Sequence, residues 1–362
     1  MKEAFHGSDI EKIEERYGVR GEDIIAFAAN VSPMGVSGKY LDEITDKLRS
    51  VERYPERDYK RLRRALSAYC GADMEHIIVG SGSSEIISAV IKHRLHPKAM
   101  IVSPAYSEYQ RNVMTAGGSV SYFELKEEDD FEFDAKALAE SLTEELDLLI
   151  ICSPHNPAGT AIACTDLETV LKRCGELDII CVVDETYVDF AGKEYDASYL
   201  TGSYQSLFVI RSMSKFFCAP GLRLGYGITS DERLKKDIEE NKDPWSVSSL
   251  SEEAAILMLS DTEYISQVRA YMDEERKRVL AGLAGLSGCG LYFIRPQANF
   301  VLLKLPERGP SAGEFFRRAL DKNMMIRDCS DYRGLEKGYI RFCFMKREDD
   351  DRLLSLLKET YA

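Results

Sequence analysis

Residues 211–226 read RSMSKFFCAPGLRLGY and contain a single lysine, Lys215, with Ser212 and Ser214 before it and Arg223 after it. A lysine placed just beyond an apolar strand, in a cleft of low dielectric, gives up its proton more readily, and a neutral amine attacks carbonyl carbon. The hydroxyls and the guanidinium are groups that hold an oxyanion. The alternative is a solvated loop lysine, the common fate of that residue type. Three other clusters offer similar choices. SGSSE (81–85) presents main-chain N–H groups at a helix start, with Gly82 admitting an anion, or else a plain cap by Ser83 or Ser84. SPHNPAGT (153–160) holds Asn156 in a shaped loop, either as a donor and acceptor for a ligand or bonded to its own backbone. DETY (184–187) ends an apolar run on a carboxylate that wants a cation. That cation is either a structural partner or a cofactor's pyridinium nitrogen.

These clusters follow short apolar runs. IIVG (77–80), MIVS (100–103), VSYFEL (120–125), LLIICS (148–153), IICVVD (179–184), LFVIRS (207–212) and LRLGYG (222–227) read as strands buried on both faces. Helical patterns lie between them, as in Leu62, Ala65, Leu66 and Tyr69, and in Ile86, Ile87, Val90 and Ile91. Such alternation predicts an α/β sheet, and ligands of such sheets bind beyond the carboxyl ends of the strands. The last third predicts a smaller α+β module: a charged helix over 261–285, strands at 291–294, 299–305, 324–328 and 339–344, and a closing helix. The expected domains are 39–250, and 1–38 together with 251–362. KEEDDFEFD (126–134) reads as a solvated loop before a helix. His93 and His96, three apart on a helix, read as a solvated face, and Tyr109 and Trp245 as packing.

Composition excludes several classes of function. The 362 residues carry 47 basic and 61 acidic side chains, a formal charge of −14, which disfavours nucleic acid and anionic membrane as partners. No apolar run reaches the length of a membrane span, and the first residues lack the apolar core of a signal peptide. Nine cysteines, an odd number without a C-x-x-C pair, read as reduced thiols in a cytoplasmic protein.

The ordered set of motifs, from HGSDI (6–10) and NVSPMG (30–35) to YIRFC (339–343), resembles the fold type I pyridoxal-phosphate-dependent aminotransferases. Within them it is most similar to the group of threonine-phosphate decarboxylase and histidinol-phosphate aminotransferase. The resemblance implies an α/β large domain with a mixed, mostly parallel seven-stranded sheet and a smaller α+β domain. It implies that Lys215 forms the Schiff base with pyridoxal 5'-phosphate, that Asp184 pairs with the ring nitrogen, and that Asn156 and Tyr187 bond the phenolic oxygen. Tyr106 would stack on the ring, and Gly82, Ser83, Ser84, Ser212, Ser214 and Arg223 would hold the phosphate. Tyr54, in RYPE, would reach the phosphate of a neighbouring subunit, making a homodimer with shared active sites. Arg341 would grip the substrate carboxylate, and Arg327 and His6 a substrate phosphate. DPWSVSSL (243–250) and IRDCSDYRGL (326–335) resemble the decarboxylase branch, which expels the Cα carboxylate of a small phosphorylated substrate. Ser81 and His155 stand where the family commonly has asparagine. Histidinol-phosphate-type transamination with 2-oxoglutarate is the alternative, and a non-catalytic binding or regulatory protein on the same fold a distant one.

Overall fold

The structure is a computed structural model that describes residues 9–336 and 338–362. His6 lies outside the described residues. Seven apolar segments form strands β1 (Ile77–Gly80), β2 (Lys98–Ser103), β3 (Ser119–Glu124), β4 (Leu148–Cys152), β5 (Ile180–Asp184), β6 (Leu207–Ser212) and β7 (Gly225–Ile228). They make one sheet in the order β1-β7-β6-β5-β4-β2-β3. The strand β7 runs antiparallel to both neighbours, and the remaining pairings are parallel. Alternate side chains serve opposite faces. Leu149, Ile151, Cys181 and Val183 join the larger core, whereas Leu148, Ile150, Val182 and Phe208 join a second core beneath the helix Ser83–Lys92. Burial on both faces is why these strands read as unbroken apolar runs.

A second, antiparallel sheet contains β8 (Tyr292–Phe293), β9 (Phe300–Lys304), β10 (Arg327–Asp328) and β11 (Tyr339–Cys343), in the order β10-β11-β9-β8. The long helix spans Thr262–Ala284, and Arg347–Tyr361 closes the chain.

Four local expectations are corrected. The segment 222–227 is not one strand: Pro220–Leu222 is a turn, Arg223 takes a left-handed φ of 51°, and the extended run starts at Gly225. Only Arg327–Asp328 of the segment 324–328 joins the second sheet, because Met325 exchanges main-chain bonds with Ile25 and Ala28 instead. The acidic stretch 126–134 is not simply solvated. Phe131 is fully buried there, edge-on to Tyr339, and its carbonyl accepts from Thr160 Oγ1 at 2.8 Å. His93 and His96 do not share a helix face, since the helix ends at Lys92 and His96 has a φ of 53°.

The step from β5 into the following loop shows how the sheet aims its polar groups. Asp184 and Glu185 are adjacent and therefore face opposite sides. Glu185 turns away from the ligand side and meets Arg211, fully buried on the neighbouring β6. Arg211 Nε lies 2.9 Å from Glu185, Nη1 3.3 Å from Asp189 and Nη2 2.6 Å from Asp196. Tyr69 also donates to Asp189 at 2.7 Å. Burial raises the pKa of the Glu185 carboxyl, and the Arg211 guanidinium opposes the rise by favouring the charged form. The structural ion pair at this strand end thus belongs to Glu185. Removing one partner from such a cluster strands buried charge. Arg211→Ala is expected to lower unfolding free energy by about 3–5 kcal/mol, read from urea denaturation.

Candidate active site

The carboxyl ends of β1, β4, β5 and β6 open on a cavity of about 540 Å³. From the large sheet it is lined by Ser83, Ser84, Tyr106, Asn156, Asp184 and Tyr187, and by Ser212, Ser214, Lys215 and Arg223. From the second sheet Arg327 and Arg341 complete it. Tyr54 does not line this cavity. It is 82% exposed and packs against Trp245, with ring centroids 5.2 Å apart. Trp245 is itself 45% exposed, so its packing is on a surface and not in the core.

The anion end is built from backbone. Gly82, not a serine, occupies the cap position of the helix Ser83–Lys92, with a φ of 80° and no side-chain cap bond. A Cβ there would strike the Arg223 guanidinium, and one at Gly225 would strike the main-chain nitrogen of Ser83. Both positions need glycine because β7 presses Arg223 and the helix start together. Ser212 Oγ accepts from Ser214 N at 3.1 Å, which fixes the turn into Lys215. Helix N–H groups, hydroxyls and one guanidinium at the rim make a site for a phosphate.

At the far side of the cavity Asp184 is 4% exposed and receives only neutral donors. Tyr109 Oη donates to Oδ2 at 2.7 Å, and Thr186 N and Oγ1 donate to Oδ1 at 3.0 and 2.6 Å. Burial raises its pKa, and those bonds and Lys215 oppose the rise. A buried carboxylate without a salt-bridge partner among the described residues is matched by a cationic ring nitrogen.

Between these ends sits Lys215. Its Nζ donates to the carbonyl of Ala29 at 2.8 Å. Burial, then Arg341 and Arg223, lower its pKa to about 8. Arg341 is 5% exposed and donates to the carbonyl of Ala28 at 3.0 Å and to Asn156 Oδ1. Asn156 is thus bonded to a residue of the second sheet, not to its own backbone, and the contact leaves its amide NH2 for a ligand. Asn30 Nδ2 donates to Tyr187 Oη at 3.3 Å, leaving the phenol proton available.

Sequence reading missed Asn30, Thr186 and the polar role of Tyr109, which both fills the core and holds Asp184. Asn30 carried a usable signal: an asparagine opening NVSPMG takes a left-handed φ of 55° and holds its neighbours' carbonyls toward the cavity. Tyr109 gave none, because an aromatic at helical spacing reads as packing. The tip residues Asp331, Tyr332 and Arg333 also line the cavity and were not singled out.

The lowered pKa of Lys215 has a consequence for the cofactor-free chain. The folded state binds this proton less tightly than the unfolded chain, so the lysine destabilises folding fully below about 8, and the penalty disappears as pH rises through the normal lysine range. Lys215→Met is expected to stabilise the cofactor-free protein at pH 7, with the gain shrinking toward pH 10.5. Thermal melting across this range checks it.

An anion cradle, an amine and a buried carboxylate in one cavity fit a planar pyridine that carries a phosphate and a carbonyl. Comparison with known proteins agrees. Residues 22–357 match the family described as aminotransferase class I and II. Threonine-phosphate decarboxylase of Salmonella typhimurium is 31% identical, over 98% of this chain and 95% of that one. Histidinol-phosphate aminotransferase of Methanocaldococcus jannaschii is 29% identical, over 99% and 95%. The crystal structure of histidinol-phosphate aminotransferase from Clostridium acetobutylicum superposes with a TM-score of 0.86 at 30% identity, covering 92% of this chain and 98% of that one. With the family match spanning nearly the whole chain and the fold shared with these relatives, the chain belongs to the aminotransferase class I and II family and is a pyridoxal-phosphate-dependent enzyme of fold type I.

Proposed function

We propose that this enzyme decarboxylates a small phosphorylated amino acid of the threonine phosphate type. The observation that carries the reading is the pairing of Arg327 on β10 with Arg341 on β11, directly opposite in register and both lining the cavity that holds Lys215. Like charges opposed across antiparallel strands are unfavourable unless anions answer them. A substrate with a carboxylate at one end and a phosphate at the other supplies two anions at once. The Salmonella relative's name supports the same chemistry.

The placement of the lining residues supports the following roles. Gly82, Ser83, Ser84, Ser212, Ser214 and Arg223 hold the cofactor phosphate. Asp184 would keep the ring nitrogen protonated, Asn156 and Tyr187 would bond the ring oxygen, and Tyr106 would cover the ring. When bound, the cofactor supplies an electron sink conjugated with the substrate Cα. Lys215 would hold the cofactor's carbonyl carbon, and its amine would be placed to deliver a proton to the substrate Cα. A pKa of about 8 keeps that amine near the balance point for giving and taking a proton. Arg341 holds the substrate carboxylate and sets which Cα bond is presented for cleavage, while Arg327 holds the phosphate. Histidinol-phosphate-type transamination is the second reading, favoured by the likeness to the Clostridium structure.

We further take residues 39–250 as the cofactor-binding domain and 1–38 with 251–362 as the small domain. The two sheets support this division, as does the bridge between Ile25 and Met324. A homodimer is supported by apolar side chains exposed along 41–54, namely Leu41, Leu48, Val51 and Tyr54, with Trp245 beside Tyr54. Tyr54 would then reach the partner's cofactor phosphate. Among the described residues no helix is long and apolar enough to cross a membrane, and a cytoplasmic location fits the free cysteines.

The deciding experiment incubates the holoenzyme with threonine phosphate, and separately with histidinol phosphate and 2-oxoglutarate. Carbon dioxide release is expected from the first. Glutamate formation in the second without carbon dioxide in the first transfers the assignment to transamination. Lys215→Ala is expected to fold yet lose borohydride-trapped cofactor at this position, checked by mass spectrometry. Arg341→Ala is expected to weaken substrate binding by about 2–5 kcal/mol, read from the substrate-induced change in visible absorption. Leu48→Glu is expected to shift the protein from dimer to monomer in light scattering.

A further inference from the structure

The two opposed arginines are answered differently by the chain. Arg341 meets neutral acceptors, the Asn156 amide oxygen and the Ala28 carbonyl. Arg327 meets a full carboxylate of its own chain: its Nη2 lies 2.8 Å and 2.6 Å from the two carboxylate oxygens of Asp331. No hydrogen bond from its Nε or Nη1 is made to the described residues, so the rest of the guanidinium remains for a ligand. The Asp331 side chain is 38% exposed and that of Arg327 14%. The carboxylate is therefore the more exposed of the pair, and both residues line the cavity.

The segment carrying Asp331 is built to hold it there. Cys329 and Leu335 are fully buried and root the loop at both ends. Its tip is tied down on two sides. The Arg327 guanidinium carbon lies 5.3 Å from the ring centre of Tyr332. Arg333 donates to Glu124 at 2.7 Å and lies over the Tyr122 ring at 4.7 Å, reaching β3 of the large sheet. Asp331 thus lies between the buried Cys329 and the anchored Tyr332 and Arg333.

We propose that Asp331 is an affinity-setting residue: an internal counter-ion on Arg327 that a distal substrate anion must outcompete. The inference rests on the reading that Arg327 receives the phosphate of the substrate. A carboxylate arriving at Arg327 carries the same charge as the group already there and gains little by replacing it. A phosphate monoester approaches two negative charges near neutral pH and gains more. Asp331 accordingly leaves a distal carboxylate almost no net gain at Arg327 and a phosphate a reduced one.

The test compares wild-type and Asp331→Asn holoenzyme, following the visible absorption of the cofactor as threonine phosphate or glutamate is added. The variant is expected to bind both more tightly, threonine phosphate by the larger factor, about fivefold, because its dianion also sheds the greater repulsion from Asp331. The gain must disappear when Arg327→Leu is combined with it, since the two residues act as one pair. Weaker binding of both ligands in Asp331→Asn would mean that the carboxylate merely orients Arg327, and would overturn the proposal. Unchanged affinities would overturn it equally. Inorganic phosphate, titrated calorimetrically into the holoenzyme, separates this outcome from failure of the underlying reading. If wild-type enzyme ignores threonine phosphate while the variant still binds inorganic phosphate more tightly through Arg327, the substrate assignment fails and the counter-ion role stands. If inorganic phosphate binds wild type and variant equally, the counter-ion role fails whatever the substrate.

Discussion

Two cations, Lys215 and Arg341, share the centre of one enclosed cavity, and two adjacent main-chain carbonyls make this tolerable. Ala29 accepts from the lysine and Ala28 from the arginine. Neither acceptor carries a formal charge, so the mutual repulsion is softened without being cancelled. After burial, what remains of it is the largest electrostatic push on Lys215 toward its neutral form. A carboxylate in place of either carbonyl would quench the repulsion and give back an ordinary ammonium. The segment that supplies the carbonyls is itself fastened: Ser32 N donates to the Lys215 carbonyl, Ala28 N to Met325, and Asn299 to the Asn30 carbonyl. Chain from the N-terminal region, the lysine loop and the second sheet must therefore all be in place before the amine acquires its reactivity.

The large sheet solves a different problem, that of aiming polar groups out of an apolar interior. Strands buried on both faces cannot carry charge along their length, so charge appears where they end. At β5 two acids follow each other and the pleat sends them apart, Asp184 to the cavity and Glu185 to Arg211. The reversed strand β7 adds a second device. It returns the chain from the lysine loop beside β1 and brings Arg223 against Gly82. A phosphate cradle and an amine that are far apart in sequence are joined by a single hairpin.

Much of this was legible before any coordinates. Apolar runs of Ile and Val marked the parallel strands because burial on both faces leaves no other pattern, and the polar punctuation after each run marked the site. Boundaries failed where main-chain partners overrode side-chain pattern. Met324 and Met325 look like strand yet pair with Ile25 and Ala28, and Arg223 breaks an extended run through its own left-handed conformation. Site residues that act by holding another residue were illegible for the same reason. Tyr109 is a core aromatic by spacing, and only the fold reveals that its hydroxyl meets Asp184. Phe131, inside an acidic stretch, is buried because Tyr339 comes to it from a distant part of the chain.

The cavity draws on two sheets, and the division of labour between them has an evolutionary consequence. Lys215, Asp184 and the Gly82 cradle stand on the seven-stranded sheet, whereas Arg327 and Arg341 stand on the four-stranded one. Drift in the shorter strands and their connecting loop can change which molecule is accepted while the ancestral reagent stays seated. A lineage built this way diversifies by editing its periphery, and neighbouring branches can part company in chemistry while sharing nearly all of their scaffold.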